Sequence, residues 1–148
     1  MKGRVVMQKK IIGVLLLAFL LGTGVCFAES EIPNLVGTWA VQSEGAYLSK
    51  GSEPGTWSHW REGGDTTLTA EFIVTKQQGR VFYGTFTSKH AAENIAGVIG
   101  WDNKTFYLVD QDGFTDGTIV NNNKLTCIYR HVGEKDSVIA AGMMTRKK

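Results

Sequence analysis

Three groups of side chains in this sequence have the chemistry to hold or change another molecule. The segment Trp57-Ser58-His59-Trp60-Arg61 places two indoles, an imidazole and a guanidinium within five residues of a Gly-flanked stretch. Such groups suit a lid over a binding site or a contact patch for another protein, because large rings and Arg carry much of the energy of protein contacts. Folding back as a plug is the other use of the same rings. A second group, Ser43, Tyr47, Asp110, Tyr129 and His131, offers hydroxyl, carboxylate and imidazole functions able to converge on an apolar pocket. Buried without partners each would cost about 1–3 kcal/mol, so they must pair with one another, with water or with a ligand. The third group, Asp110, Asp112 and Asp116, surrounds Gly113 like part of a calcium loop. The later Glu that would complete such a loop is missing, and the three read as hairpin-turn residues.

Enzyme signatures are poor. His59, His90 and His131 lack the His-x-x-x-His or carboxylate spacing of a metal centre. There is no Gly-x-Ser-x-Gly elbow and no Gly-rich loop leading into a helix to cradle a phosphate. The sequence therefore points to no catalytic residue, no metal and no cofactor. An acid/base role for Tyr129 and His131, in a barrel cyclase or isomerase, is the weakest of the functional readings.

The elements that must position these groups are short alternating segments. From Leu35 onward no window keeps apolar residues at helical spacing for three turns, whereas period-two segments bounded by Gly, Asn and Asp recur eight times. The first strand runs from Leu35 to about Leu48, with Trp39, Val41, Ser43, Gly45 and Tyr47 on one face and Gly45 as a bulge or bend. A long irregular stretch, 49 to 65, follows; connections of that length are usually functional or mobile. The remaining strands are expected at Thr66 to Gln77, Arg80 to Ser88, Asn94 to Trp101, Thr105 to Asp110, Phe114 to Val120, Lys124 to Val132 and Ser137 to Thr145. In the Asn121-Asn122-Asn123 turn, Asn is expected to take the left-handed conformation that tight connections favour.

Connections this short pair sequence neighbours antiparallel, and closing the eighth strand onto the first removes both edges. The expected fold is thus all-β, an eight-stranded antiparallel up-and-down barrel. Inward positions in phase with Trp39 include the candidate ligand-binding residues Ser43, Tyr47, Phe72, Phe86, Leu108, Tyr129 and His131. Ala70, Gly84, Ala96, Gly100, Ala140 and Gly142 interleave with them, which suggests a tapered interior with a cavity at its wide end, a fully packed core being the equal alternative.

Leu35-Val36-Gly37-Thr38-Trp39 resembles the opening Gly-x-Trp of the calycin superfamily of lipocalins, avidins and fatty-acid-binding proteins. Tyr83-Gly84-Thr85-Phe86 is similar to a segment of avidins. The resemblance implies a basic residue at the end of the last strand lying over the Trp of the first. Arg146 is placed for that, the alternative being a solvated Arg146-Lys147-Lys148 tail. Residues for a ureido ring do not map, so the resemblance does not extend to biotin.

Residues 1–28 read as a signal peptide. Lys2, Arg4, Lys9 and Lys10 precede an apolar run from Ile11 to Leu21, and Cys26-Phe27-Ala28 offers small residues for cleavage after Ala28. A retained anchor and lipid attachment at Cys26 are the alternatives, although Thr23 stands where a lipoprotein would have Leu. Cleavage removes four cations and no anion, leaving 12 Lys and Arg against 14 Asp and Glu. The precursor's net charge of +2 thus belongs to the leader and gives no case for nucleic-acid binding. Cys127, alone after cleavage, lies in an apolar strand pattern and reads as a small buried hydrophobe, with a bridged dimer as the alternative. Residues 29–148 are then one secreted or periplasmic β-barrel domain, with the membrane touched only through an uncleaved or lipidated leader. The leading expectation is a small, largely apolar ligand in the barrel. The alternative is a protein-interaction module, for example an inhibitor of an extracytoplasmic enzyme, using the 49–65 loop.

Overall fold

In a computed structural model of the chain, which describes residues 31–49, 67–134 and 136–148, strands follow one another without a helix among the described residues. They are β1 (Gly37–Ser49), β2 (Thr67–Gln78), β3 (Val81–Ser88), β4 (Ala92–Ile99), β5 (Thr105–Val109), β6 (Gly113–Asn121), β7 (Lys124–Val132) and β8 (Asp136–Arg146). Every neighbour in sequence pairs antiparallel, and β8 pairs with β1, so the sheet is a closed eight-stranded up-and-down barrel. Residues 1–28, expected to be a signal peptide, and the segment with Trp57, His59, Trp60 and Arg61 lie outside the described residues.

Period two does the sorting. On β2, Leu68, Ala70, Phe72 and Val74 are buried while Thr67, Thr69 and Thr75 face out. Across the barrel Phe72, Phe82 and Phe106 meet edge to face at 6.4 Å between centroids, a geometry that suits aromatic quadrupoles. Phe82 and Phe106 find room because Gly97 and Gly117 stand opposite them: a Cβ added at either glycine would come within 2.2 Å and 2.0 Å of a ring.

One end of the barrel is stoppered. Trp39 is fully buried and donates Nε1–H to the Leu35 carbonyl at 3.0 Å. Arg146, the last residue of β8, lies over its ring at 4.0 Å and donates to the carbonyls of Asn34, Val36 and Asn122 at 2.7, 2.7 and 2.8 Å. Gln77 holds the same incoming segment from the other side, accepting from Leu35 N–H and donating to the Pro33 carbonyl. Gly37 has φ +135°, and a Cβ there would sit 2.9 Å from Arg146 Nη1. The Gly of Gly-x-Trp thus makes the space through which the guanidinium reaches the indole.

Four local expectations change. Gly45 is no bulge in the β1–β8 ladder, which runs unbroken through Gly45↔Ala140. The irregularities fall instead between Val74 and Lys76 and between Ile119 and Asn121. The left-handed non-Gly residue is Asn103, φ 55°, and not one of Asn121 to Asn123, because the bulge beside Asn121 supplies the extra curvature that turn needs. Ala96 faces outward and Gly97 inward, and Gly100 and Trp101 lie past the end of β4, because Phe82 needs a residue without Cβ opposite it.

Arg146→Ala removes three charge-assisted hydrogen bonds and a cation–π contact, and should cost about 2–3 kcal/mol, lowering Tm by roughly 10 °C. Arg146→Lys should recover less than half of this, because an ammonium cannot make the forked contacts. Thermal unfolding of the three proteins checks both statements.

Candidate functional site

The interior is full around Trp39, Phe82 and Phe106, and the remaining free space lies in the other half of the barrel. That cavity is about 40 Å³. Its walls are Val41, Leu68, Phe72, Phe86, Ile95, Leu108, Ala140 and Met144, and its polar lining comes from Ser43, Asp110, Thr115 and Tyr129, with Cys127 and Gly142 beside them. Of the residues expected to bind ligand, Ser43, Phe72, Phe86, Leu108 and Tyr129 therefore share this cavity. Tyr47 and His131 do not line it. They belong to a hydrogen-bond chain around the same end.

That chain runs across four elements. Tyr47 Oη donates to Asp136 Oδ2 at 3.3 Å, and Asp136 Oδ1 lies 2.8 Å from His131 Nε2. His131 Nδ1 is 2.7 Å from the Asp112 carbonyl, and Tyr129 Oη donates to Asp112 Oδ1 at 3.0 Å. Tyr129 and His131 thus meet through Asp112 and not directly, so the pair lacks the contact a shared acid/base step between them would use.

Both ring nitrogens of His131 face acceptors, a carbonyl and a carboxylate. Only an imidazolium can donate to both. Burial works against the charge, but the Asp112 carbonyl and the carboxylates of Asp136 and Asp112 outweigh it, and the imidazole titrates above its ordinary value. Burial pushes the Tyr129 phenol up, reinforced by the negative charges of Asp110 and Asp112, so it stays protonated as a donor. Burial likewise pushes the Cys127 thiol up to about 11, which leaves it a neutral thiol near pH 7 and a poor nucleophile.

Carboxylates concentrate at this end. Glu93, Asp110 and Asp112 have oxygens within 4.8 Å of one another, and Glu93 is only 6% exposed. Asp110 Oδ1 accepts from the backbone N–H groups of Asp112 and Gly113 at 3.2 and 2.6 Å, which makes it a turn residue as expected. Even so, burial, with Glu93 and Asp112 adding like charge, raises its carboxyl. Asp116 is not part of this group: it points outward and pairs with Arg130. The sequence trio Asp110, Asp112, Asp116 is thus replaced by Glu93, Asp110, Asp112, because alternation along β6 sends Asp116 to the face opposite Thr115. Three oxygen donors fall short of the six to eight that Ca²⁺ usually takes, and Asp112 is already engaged by Tyr129.

Glu93 had no signal in the sequence beyond its place two residues before an Ile. β4 begins at Ala92, earlier than the apolar pattern suggests, and this turns Glu93 inward with Ile95 and Ile99.

His131, raised in the folded state, contributes stability that is complete below its ordinary value of about 6.5 and is lost as pH rises through the folded value. Wild-type stability should therefore fall on going from mildly acidic to mildly alkaline pH, and His131→Gln should flatten that slope. NMR titration of the His131 ring should give a midpoint above about 6.5; a midpoint at or below it contradicts the assignment of both nitrogens as donors.

Searches against protein-family models, curated proteins and solved structures return no match for this chain.

Proposed function

We propose that the chain is an exported barrel of calycin type that binds a small, largely apolar ligand, or the apolar end of a longer one, in the half of its interior away from Trp39. The observation that carries this reading is the cavity itself, whose apolar walls are interrupted by Ser43, Thr115, Asp110 and Tyr129. This is the usual make-up of a small-molecule site, a hydrophobic lining with a few placed polar groups. Its volume of about 40 Å³ limits what enters the unaltered barrel to a few heavy atoms. A longer ligand must leave its head group outside, beside Glu93, Asp110 and Asp112. There a protonated amine or a neutral head is favoured and an anionic one repelled.

The same small volume favours a second reading. Drug-sized ligand pockets run from about 300 Å³ upward, so a nearly filled barrel also suits an interaction protein that presents the 49–65 loop, with Trp57, His59, Trp60 and Arg61 in contact with a partner.

A titration followed by methyl and aromatic NMR decides between them. n-Propylamine should shift the resonances of Met144, Leu108 and Phe86, propionate should shift them at least about tenfold less per added mole, and Ala140→Val should abolish the response while leaving Tm within a few degrees. Equal responses to amine and carboxylate would contradict the head-group preference. No response to the amine, propionate or propanol would leave the loop as the functional surface.

A further inference from the structure

The outward face of β3 to β6 carries a continuous apolar patch; a second exposed group, Leu48, Val132 and Ile139, lies over β7, β8 and β1, where Arg130 and Ser137 interrupt it. Cross-strand pairing sets two level rows side by side: Val81, Val98, Tyr107 and Asp116 in one, Tyr83, Ala96, Val109 and Phe114 in the other. Seven of these eight positions are apolar or aromatic, and Tyr83, Tyr107 and Phe114 stay 48%, 48% and 65% exposed. At the end of the β4–β5 hairpin Trp101 is 90% exposed, with the Arg80 guanidinium 4.6 Å from its ring centroid. By contrast β1 and β2 send Gln42, Glu44, Thr67, Thr69 and Glu71 outward.

We infer that this face is the contact surface of a homodimer in which the β3–β6 faces of two copies meet about a twofold axis. Three features select a second copy as the occupant. The first is area. The exposed side chains of the two rows offer roughly 500 Å² of apolar and aromatic surface. A standard interface needs about 800 Å² per partner, a little over half of it apolar, so the patch matches one side of such an interface. The second is charge. In a twofold contact each patch meets itself, so a charge at its centre would face its own sign. The one carboxylate in the rows, Asp116, stands at a corner and is neutralised by Arg130 of the same chain. The third is the closed sheet: every strand has two neighbours, which leaves no edge for backbone pairing and makes face-to-face packing the available mode. Tyr, Trp and Phe at these positions supply the rigid rings that concentrate binding energy in protein contacts.

Sedimentation equilibrium of the full-length expressed protein, as its host processes it, tests this across a concentration series. Wild type should show a monomer–dimer equilibrium. Val98→Lys should weaken the dimer at least about tenfold, because two ammonium groups would be brought together at the axis. Val98→Thr, which keeps a β-branched strand former, should weaken it by a smaller factor and carries the test if the Lys variant does not fold. Gln42→Lys, on the far side of the barrel, should leave it unchanged. A wild type that sediments as a monomer throughout, a dimer indifferent to both Val98 variants, or one weakened by Gln42→Lys would overturn the inference. None of these outcomes bears on the interior cavity, which the amine titration tests independently.

Discussion

Closure is the constraint on which the rest depends. An eight-stranded sheet left open would expose the edges of β1 and β8. Pairing Trp39 through Ser49 with Asp136 through Arg146 removes both edges and makes an inside. The Arg146 guanidinium links three parts at once: the end of β8, the indole that begins the core, and the 34–36 segment that runs beneath it. Because the charged group rests on a ring face and donates to the backbone carbonyls of Asn34, Val36 and Asn122, its charge is accommodated by dipoles and an indole face.

With one end sealed, polarity is forced to the other. There the chain Tyr47–Asp136–His131–Asp112–Tyr129 ties β1, β8, β7 and the β5–β6 turn together, while Glu93 and Asp110 add negative charge beside the cavity. One charged imidazole compensates several carboxylates, which makes this end the electrostatically costly part of the fold. Such costs are tolerated where a group is needed for binding, and the position of Asp110 in the cavity lining fits that pattern. On the outside of the barrel the continuous apolar face lies over β3 to β6, while the exposed Leu48, Val132 and Ile139 of β1, β7 and β8 are interrupted by Arg130 and Ser137.

Much of this is legible in the residue order. Strand number, pairing and the closure of the eighth strand onto the first follow from alternation and short turns, and the Gly37, Trp39, Arg146 arrangement follows from the calycin resemblance. The phase of β4 does not. Ala96, Gly97 and Val98 are small or apolar on both faces, so alternation carries no information there, and the need of Phe82 for a Gly opposite decides it. The double apolarity of β4 is itself the trace of the outer face. Glu93 escapes because burial of an acid depends on partners that only folding assembles. The Asp110, Asp112, Asp116 grouping fails for a related reason: closeness in sequence does not put residues on one face when a strand begins between them.

Native-state hydrogen exchange tests the central claim most directly. A closed barrel requires the amides of β1 and β8 that bond across Trp39↔Arg146 to Leu48↔Ser137 to be as protected as those of β2 and β7. Exchange of either terminal strand at the faster rate of an open sheet edge, with β2 to β7 still protected, would contradict closure and with it the sealed interior.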